Sequence, residues 1–207
     1  RNTYDGDGRQ TMAEDALGSR TLYQYDADGN LASTTDALGN VTTNTYDIYG
    51  NVTSVTDPLG NTTSYQYNAR DQLTCAVLPS GSTTTYFYDN AGNLTAQEDG
   101  LGHRIRYTYN ARNLKNSRQD TGSADEENFA APKETYLYTA DGLIASKTDR
   151  NGIATTYTYD GLGRLITEQA DSDQKQYTYD ILGNVLTTTD STLRNTKPTA
   201  AVWENST

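Results

Sequence analysis

Residues 57–67 read Asp57-Pro58-Leu59-Gly60-Asn61-Thr62-Thr63-Ser64-Tyr65-Gln66-Tyr67, a turn followed by a strand. Aspartate at the first corner can accept hydrogen bonds from the turn backbone, proline presets φ at the second, and glycine suits a left-handed fourth position. From Thr62 the residues alternate. Tyr65 and Tyr67 fall on one face, and Thr62, Ser64 and Gln66 on the other. Period-two alternation rich in Thr and Tyr, bounded by turn signals, predicts a β-hairpin arm.

The pattern repeats along the chain. Its second tyrosine falls at Tyr4, Tyr25, Tyr46, Tyr67, Tyr88, Tyr109, Tyr138, Tyr159 and Tyr179, at intervals of 21 residues except for one of 29 and a last one of 20. Four residues on, most copies carry glycine, at Gly8, Gly29, Gly50, Gly92, Gly142, Gly163 and Gly183, with an apolar residue two positions later. Aspartate follows at Asp15, Asp36, Asp57, Asp99, Asp120, Asp149 and Asp190, and a second glycine at Gly18, Gly39, Gly60, Gly81, Gly102 and Gly152. Two Asp-x-x-Gly turns per copy, separated by runs of about seven residues, make each copy one hairpin with arms of roughly 23 Å. A fixed period of this size denotes a supersecondary unit stacked on its neighbours. The expected fold is all-β: tandem 21-residue hairpins forming one long antiparallel ribbon.

Bulk composition is a poorer guide. Leu, Ile, Val and Phe number 31 of 207 residues and the net charge is -11, values near those of disordered chains. The 17 tyrosines stand almost entirely in register, however, so a core of tyrosine and leucine is expected. The acidic balance, with 16 scattered basic residues, disfavours nucleic acid as a partner, because phosphate neutralisation needs clustered Lys and Arg. No apolar run approaches the ~20 residues of a membrane-spanning helix. The single Cys75 excludes an internal disulfide and fits a secreted protein that avoids thiols.

Two segments break the period. The long interval holds a polar insertion around residues 121–133, expected to leave the ribbon at a turn. The repeats end at residue 190, so residues 191–207 are expected to be a cap, a linker or a frayed end. The first copy is entered at once, in Asn2-Thr3-Tyr4-Asp5, which suggests a piece of a longer polypeptide.

The stretch Gly152-Ile-Ala-Thr-Thr-Tyr157-Thr-Tyr159-Asp160-Gly-Leu-Gly163-Arg164-Leu165 resembles in full the YD repeat of the bacterial RHS-repeat proteins. Gly60 to Leu73 matches it more loosely, with Asn68 for aspartate and Asp71 for glycine. The resemblance covers about residues 2–190. It implies a curved ribbon that forms part of a hollow shell around a C-terminal polymorphic toxin, as in wall-associated RHS proteins and insecticidal toxin complexes. The implied partners are the remainder of the parent chain and its toxin cargo, and the implied location is secreted or at the bacterial cell surface. The family's self-cleavage segment has no counterpart here.

Individual residues add little chemistry. Cys75 shares its column with Ser33, Ser54 and Ala96, which points to packing. His103 is the only histidine, and no non-repeating polar cluster is evident, so neither catalytic nor cofactor-binding residues are assigned. Asp5/Asp7 and Asp26/Asp28 have the alternation of a calcium loop, but Thr35 stands where an EF-hand needs glutamate, and turn capping explains the aspartates. No metal site is assigned. Asn40-Val-Thr42, Asn51-Val-Thr53 and Asn61-Thr-Thr63 read as sequons only because the repeat contains that pattern. The assigned positions are structural: Tyr25, Tyr46, Tyr67, Tyr88, Tyr109, Tyr138, Tyr159 and Tyr179; Gly29, Gly39, Gly50, Gly60, Gly92, Gly102, Gly152 and Gly163; Asp36, Asp57 and Asp99. The alternative reading is a cell-surface adhesion module that binds carbohydrate or a receptor through exposed tyrosine rings. An enzyme is the third.

Overall fold

The computed structural model describes residues 1–123 and 132–191. All regular structure among them is β, as the hairpin reading expects. The chain forms two compact units. The first comprises Arg1–Tyr88 with Ala96–His103, and the second Asp89–Thr95 with the described residues from Arg104 onward.

The first unit holds β1 (Asn2–Tyr4), β2 (Gln10–Glu14), β3 (Arg20–Tyr25), β4 (Leu31–Thr35), β5 (Val41–Tyr46), β6 (Val52–Thr56), β7 (Thr62–Tyr67), β8 (Leu73–Val77) and β9 (Thr83–Tyr88). Each pairs antiparallel with the next in sequence. The unit boundary falls within β10 (Leu94–Asp99). Beyond it come β11 (His103–Tyr109), β12 (Lys115–Ser123), β13 (Lys133–Tyr138), β14 (Ile144–Thr148), β15 (Ala154–Tyr159), β16 (Leu165–Ala170), β17 (Asp173–Tyr179) and β18 (Val185–Asp190). From β12 to β18 the antiparallel succession is again unbroken.

Strand β12 carries the backbone through Thr121 to Ser123 and β13 begins at Lys133. The rest of the insertion, residues 124–131, lies outside the described residues, as do residues 192–207.

The two connections of a repeat differ. Between β4 and β5 the register runs straight to Thr35↔Val41. Between β3 and β4 it runs Tyr23↔Thr34 and Gln24↔Ser33, then jumps to Tyr25↔Leu31. One extra residue, Ala32, is accommodated there as a bulge. The same shift accompanies Tyr4, Tyr46, Tyr67, Tyr138, Tyr159 and Tyr179, so the bulge belongs to the repeat.

Burial follows the alternation. In β7, Thr63, Tyr65 and Tyr67 are half-buried while Thr62, Ser64 and Gln66 are exposed. Among the described residues only Ala96 and Tyr136 are buried apolar side chains, at 6% and 8% exposure. The expected tyrosine core is therefore thin. Within each unit a strand touches only its sequence neighbours, so each ring is covered by same-face side chains rather than by a second layer.

Candidate functional site

The repeat has two functional parts, the turn and the tyrosine. Asp36 shows the turn in full. Its backbone N–H donates to the Asn40 carbonyl at 3.0 Å, and its carbonyl accepts from the Gly39 N–H at 3.1 Å. One carboxylate oxygen takes the N–H groups of Leu38 and Asn40, both at 2.9 Å, and the other takes the Asn40 amide at 2.8 Å. Asp57 repeats this with Leu59 and Asn61. Asp99 repeats it with Leu101 and His103, whose Nδ1 lies 3.0 Å from Asp99 Oδ2 where other turns place an asparagine amide.

These hydrogen bonds set the electrostatics. The side-chain bond from Asn40, then its backbone N–H, hold the Asp36 carboxyl below the usual carboxylate range. Asn61 does the same for Asp57, and for Asp99 the His103 backbone N–H is the main cause.

Gly29, Gly39, Gly50, Gly60, Gly92, Gly102, Gly152 and Gly163 all adopt positive φ, between 78° and 89°. Where Asp71 and Asn113 replace the first glycine, φ remains positive, at 58° and 59°. Each replacement reaches back to the equivalent turn of the preceding repeat: Asp71 accepts from the Asn51 amide at 2.9 Å, and Asn113 from Asn93 at 3.0 Å.

The tyrosines link repeat to repeat. Tyr46 donates to the Leu31 carbonyl at 2.9 Å, and Tyr25, Tyr88, Tyr109, Tyr138, Tyr159 and Tyr179 donate to Gln10, Leu73, Leu94, Lys115, Ile144 and Leu165 at 2.7–2.9 Å. Tyr67 holds the same register place, opposite Leu73 on the bulge, but has no such bond among the described residues. For Tyr46 the reason is plain. Leu31 lies two residues beyond Ser33↔Thr43, the last pair of β4 with β5, so the hydroxyl meets a carbonyl at the end of the ladder. Arginine adds to the link at two places, with Arg9 5.0 Å above the Tyr25 ring and Arg164 4.7 Å above that of Tyr179.

The candidates for chemistry are placed as follows. Cys75 is a half-buried free thiol on β8, opposite Gln66 and Thr85. The Asp26 carboxylate takes the N–H groups of Asp28 and Asn30 and the Asn30 amide. Asp5 takes Arg9, which also pairs with Asp7 at 2.9 Å. No group of three His, Cys, Asp or Glu side chains that could hold a metal occurs among the described residues. The sequon residues Asn40, Asn51 and Asn61 use their amides on the turn aspartates.

A non-repeating polar cluster exists, on β12, β13 and β14. Tyr136 donates a 2.6 Å hydrogen bond to Glu134 Oε2, Lys147 Nζ lies 3.6 Å from the same oxygen, and Arg118 lies 3.9 Å from Oε1. Burial, then the bond to Glu134, pushes the Tyr136 hydroxyl up to about 12. The Tyr136 hydroxyl, opposed by burial and helped by Lys147 and Arg118, holds the Glu134 carboxyl low. The insertion conceals this cluster in the sequence because it separates Arg118 from Glu134, which pair directly.

The family description RHS Repeat matches residues 4–41, 25–62, 46–77, 76–103, 88–124 and 138–176. No curated protein matches the chain. Among solved structures, the crystal structure of TcdB2-TccC3-Cdc42 aligns with TM-score 0.59 and 17% identity over 91% of this chain. TcdB2-TccC3-TEV aligns with 0.59 and 18% over 92%, and TcdB2-TccC3 with 0.57 and 18% over 89%. The chain spans 12% of the length of each of these structures. At such identity the likeness is one of fold.

Proposed function

The chain belongs to the RHS-repeat family, and on that premise we propose that it is a wall segment: a non-catalytic stretch of curved β-ribbon in a hollow shell that encloses a toxin and helps deliver it. Residues 1–190 act in this reading as one run of nine repeats, with the insertion leaving it and residues 191–207 following it. The partners are the rest of the parent chain and the toxin cargo, and the location is outside the producing bacterium or at its surface.

The repeat-to-repeat tyrosine bond carries this reading. Of the repeat's second tyrosines, all from Tyr25 to Tyr179 except Tyr67 spend the hydroxyl on the backbone of the preceding repeat, as with Tyr46 on Leu31 and Tyr159 on Ile144, so the ladder is used to build continuous sheet. The half-buried rings of Tyr65 and Tyr67 weigh against a sugar-stacking platform, which needs open ring faces. Limited proteolysis of the parent polypeptide tests the proposal. A downstream fragment that resists protease until the repeats are unfolded supports enclosure. One cleaved as fast as the free fragment contradicts it and turns attention to adhesion.

A further inference from the structure

Lys115 departs from its column. The column elsewhere holds Leu31, Val52, Leu73, Leu94, Ile144, Leu165 and Val185, with the uncharged Gln10 as its other polar residue, and a charge set among them gives up burial for another purpose. Lys115 Nζ lies 4.9 Å from the centre of the Tyr136 ring and 6.0 Å from that of Tyr107. Lys147 Nζ lies 5.9 Å from the same Tyr136 centre. Two ammonium groups therefore flank one buried ring.

Their charge is under-compensated. Arg118 and Lys147 share one carboxylate, that of Glu134, which also accepts from Tyr136. Lys115 has no carboxylate partner among the described residues, and its only cation partners are rings. Lys147 keeps 41% of its side chain exposed. In a chain of net charge -11, this is a local cationic face held half out of water, where a like-charge pair gains most from an incoming anion.

We propose that Lys115 and Lys147 form a binding site for the carboxylate side chains of an acidic, extended polypeptide segment. The chemistry favours carboxylates over phosphate. The one guanidinium present, on Arg118, faces Glu134, which leaves two ammonium point charges rather than a planar fork. The two lysines stand on β12 and β14, two strands apart and so separated by roughly 10 Å across the sheet. An extended peptide presents alternate same-face side chains at a comparable spacing, roughly 7 Å, within reach of flexible lysine stems. The site stands whether or not the chain encloses a cargo.

The test is binding of a fluorescent oligoglutamate peptide to the full chain at low salt, followed by anisotropy. The double variant Lys115→Leu/Lys147→Thr restores residue types found in those columns, and circular dichroism confirms that it folds. It should bind about tenfold or more weakly, whereas Lys175→Thr, removing one exposed charge on β17, should change affinity less than about twofold. Binding should weaken with added salt. The proposal is overturned if wild-type chain does not bind the peptide, if Lys175→Thr weakens it as much as the double variant, or if a sulfated oligosaccharide binds through these lysines and the peptide does not.

Discussion

The Tyr46 hydroxyl donates to the Leu31 carbonyl oxygen at 2.9 Å, across fifteen residues of sequence. It does so where the backbone pairing of β4 with β5 has run out, and the Asn44 amide donates to the same oxygen at 2.9 Å. The repeat's signature residue thus closes the end of the β4–β5 ladder beside the bulge that the preceding repeat makes at Ala32.

This predicts a graded Tyr→Phe series. Tyr159→Phe leaves the Ile144 carbonyl without its hydroxyl donor and should cost about 1 kcal/mol. Tyr46→Phe should cost less, because Asn44 still serves Leu31. Tyr67→Phe should be close to neutral. Urea midpoints at equal m-value check the order.

Gly60 has φ +85° and open space where a Cβ would stand, so a substitution there acts through the backbone alone. Gly60→Val should destabilise by more than about 1 kcal/mol, and Gly60→Asn by clearly less. Asn113 and Asp71 show that the geometry admits such residues. An unchanged melting temperature for Gly60→Val would refute the turn assignment.

Asp71→Ala should be more damaging than Asp71→Gly. Alanine keeps the positive φ and loses the bond from Asn51, whereas glycine loses the bond but relieves the strain. Thermal melts of the two variants give the comparison.

Stability should fall at both ends of the pH scale. The carboxyls of Asp26, Asp36, Asp57, Asp89 and Asp180 are depressed, chiefly by the asparagine that closes each turn. Depressed groups contribute stability above the unfolded carboxylate pKa of about 4, and it is lost as pH falls through their lower folded values. Raised groups act in the opposite sense. Tyr136 stands at about 12, and burial also raises Tyr88, Tyr109 and Tyr159. Their contribution is intact below the ordinary tyrosine pKa of about 10 and is lost above it. Denaturation at pH 3, 7 and 11 should show a maximum at pH 7.

Much of this architecture is legible in the sequence because turn chemistry is local. Asp57-Pro58-Leu59-Gly60-Asn61 contains the partners of its turn's hydrogen bonds, and the alternation through Tyr65 and Tyr67 assigns their faces. The bulge is not legible, since Gln24-Tyr25 and Leu31-Ala32 look regular in each strand and only their pairing displaces one residue. The tyrosine-to-carbonyl bond is hidden for the same reason. The cluster at Tyr136 joins residues from three strands across the insertion, and its one visible sign is Lys115, the only charged residue in its column.

The most direct test of the wall reading is electron microscopy of the parent polypeptide proposed for this chain. The account predicts a closed, hollow particle with the repeats in its wall and density inside. An extended rod, with no enclosed volume, would contradict it.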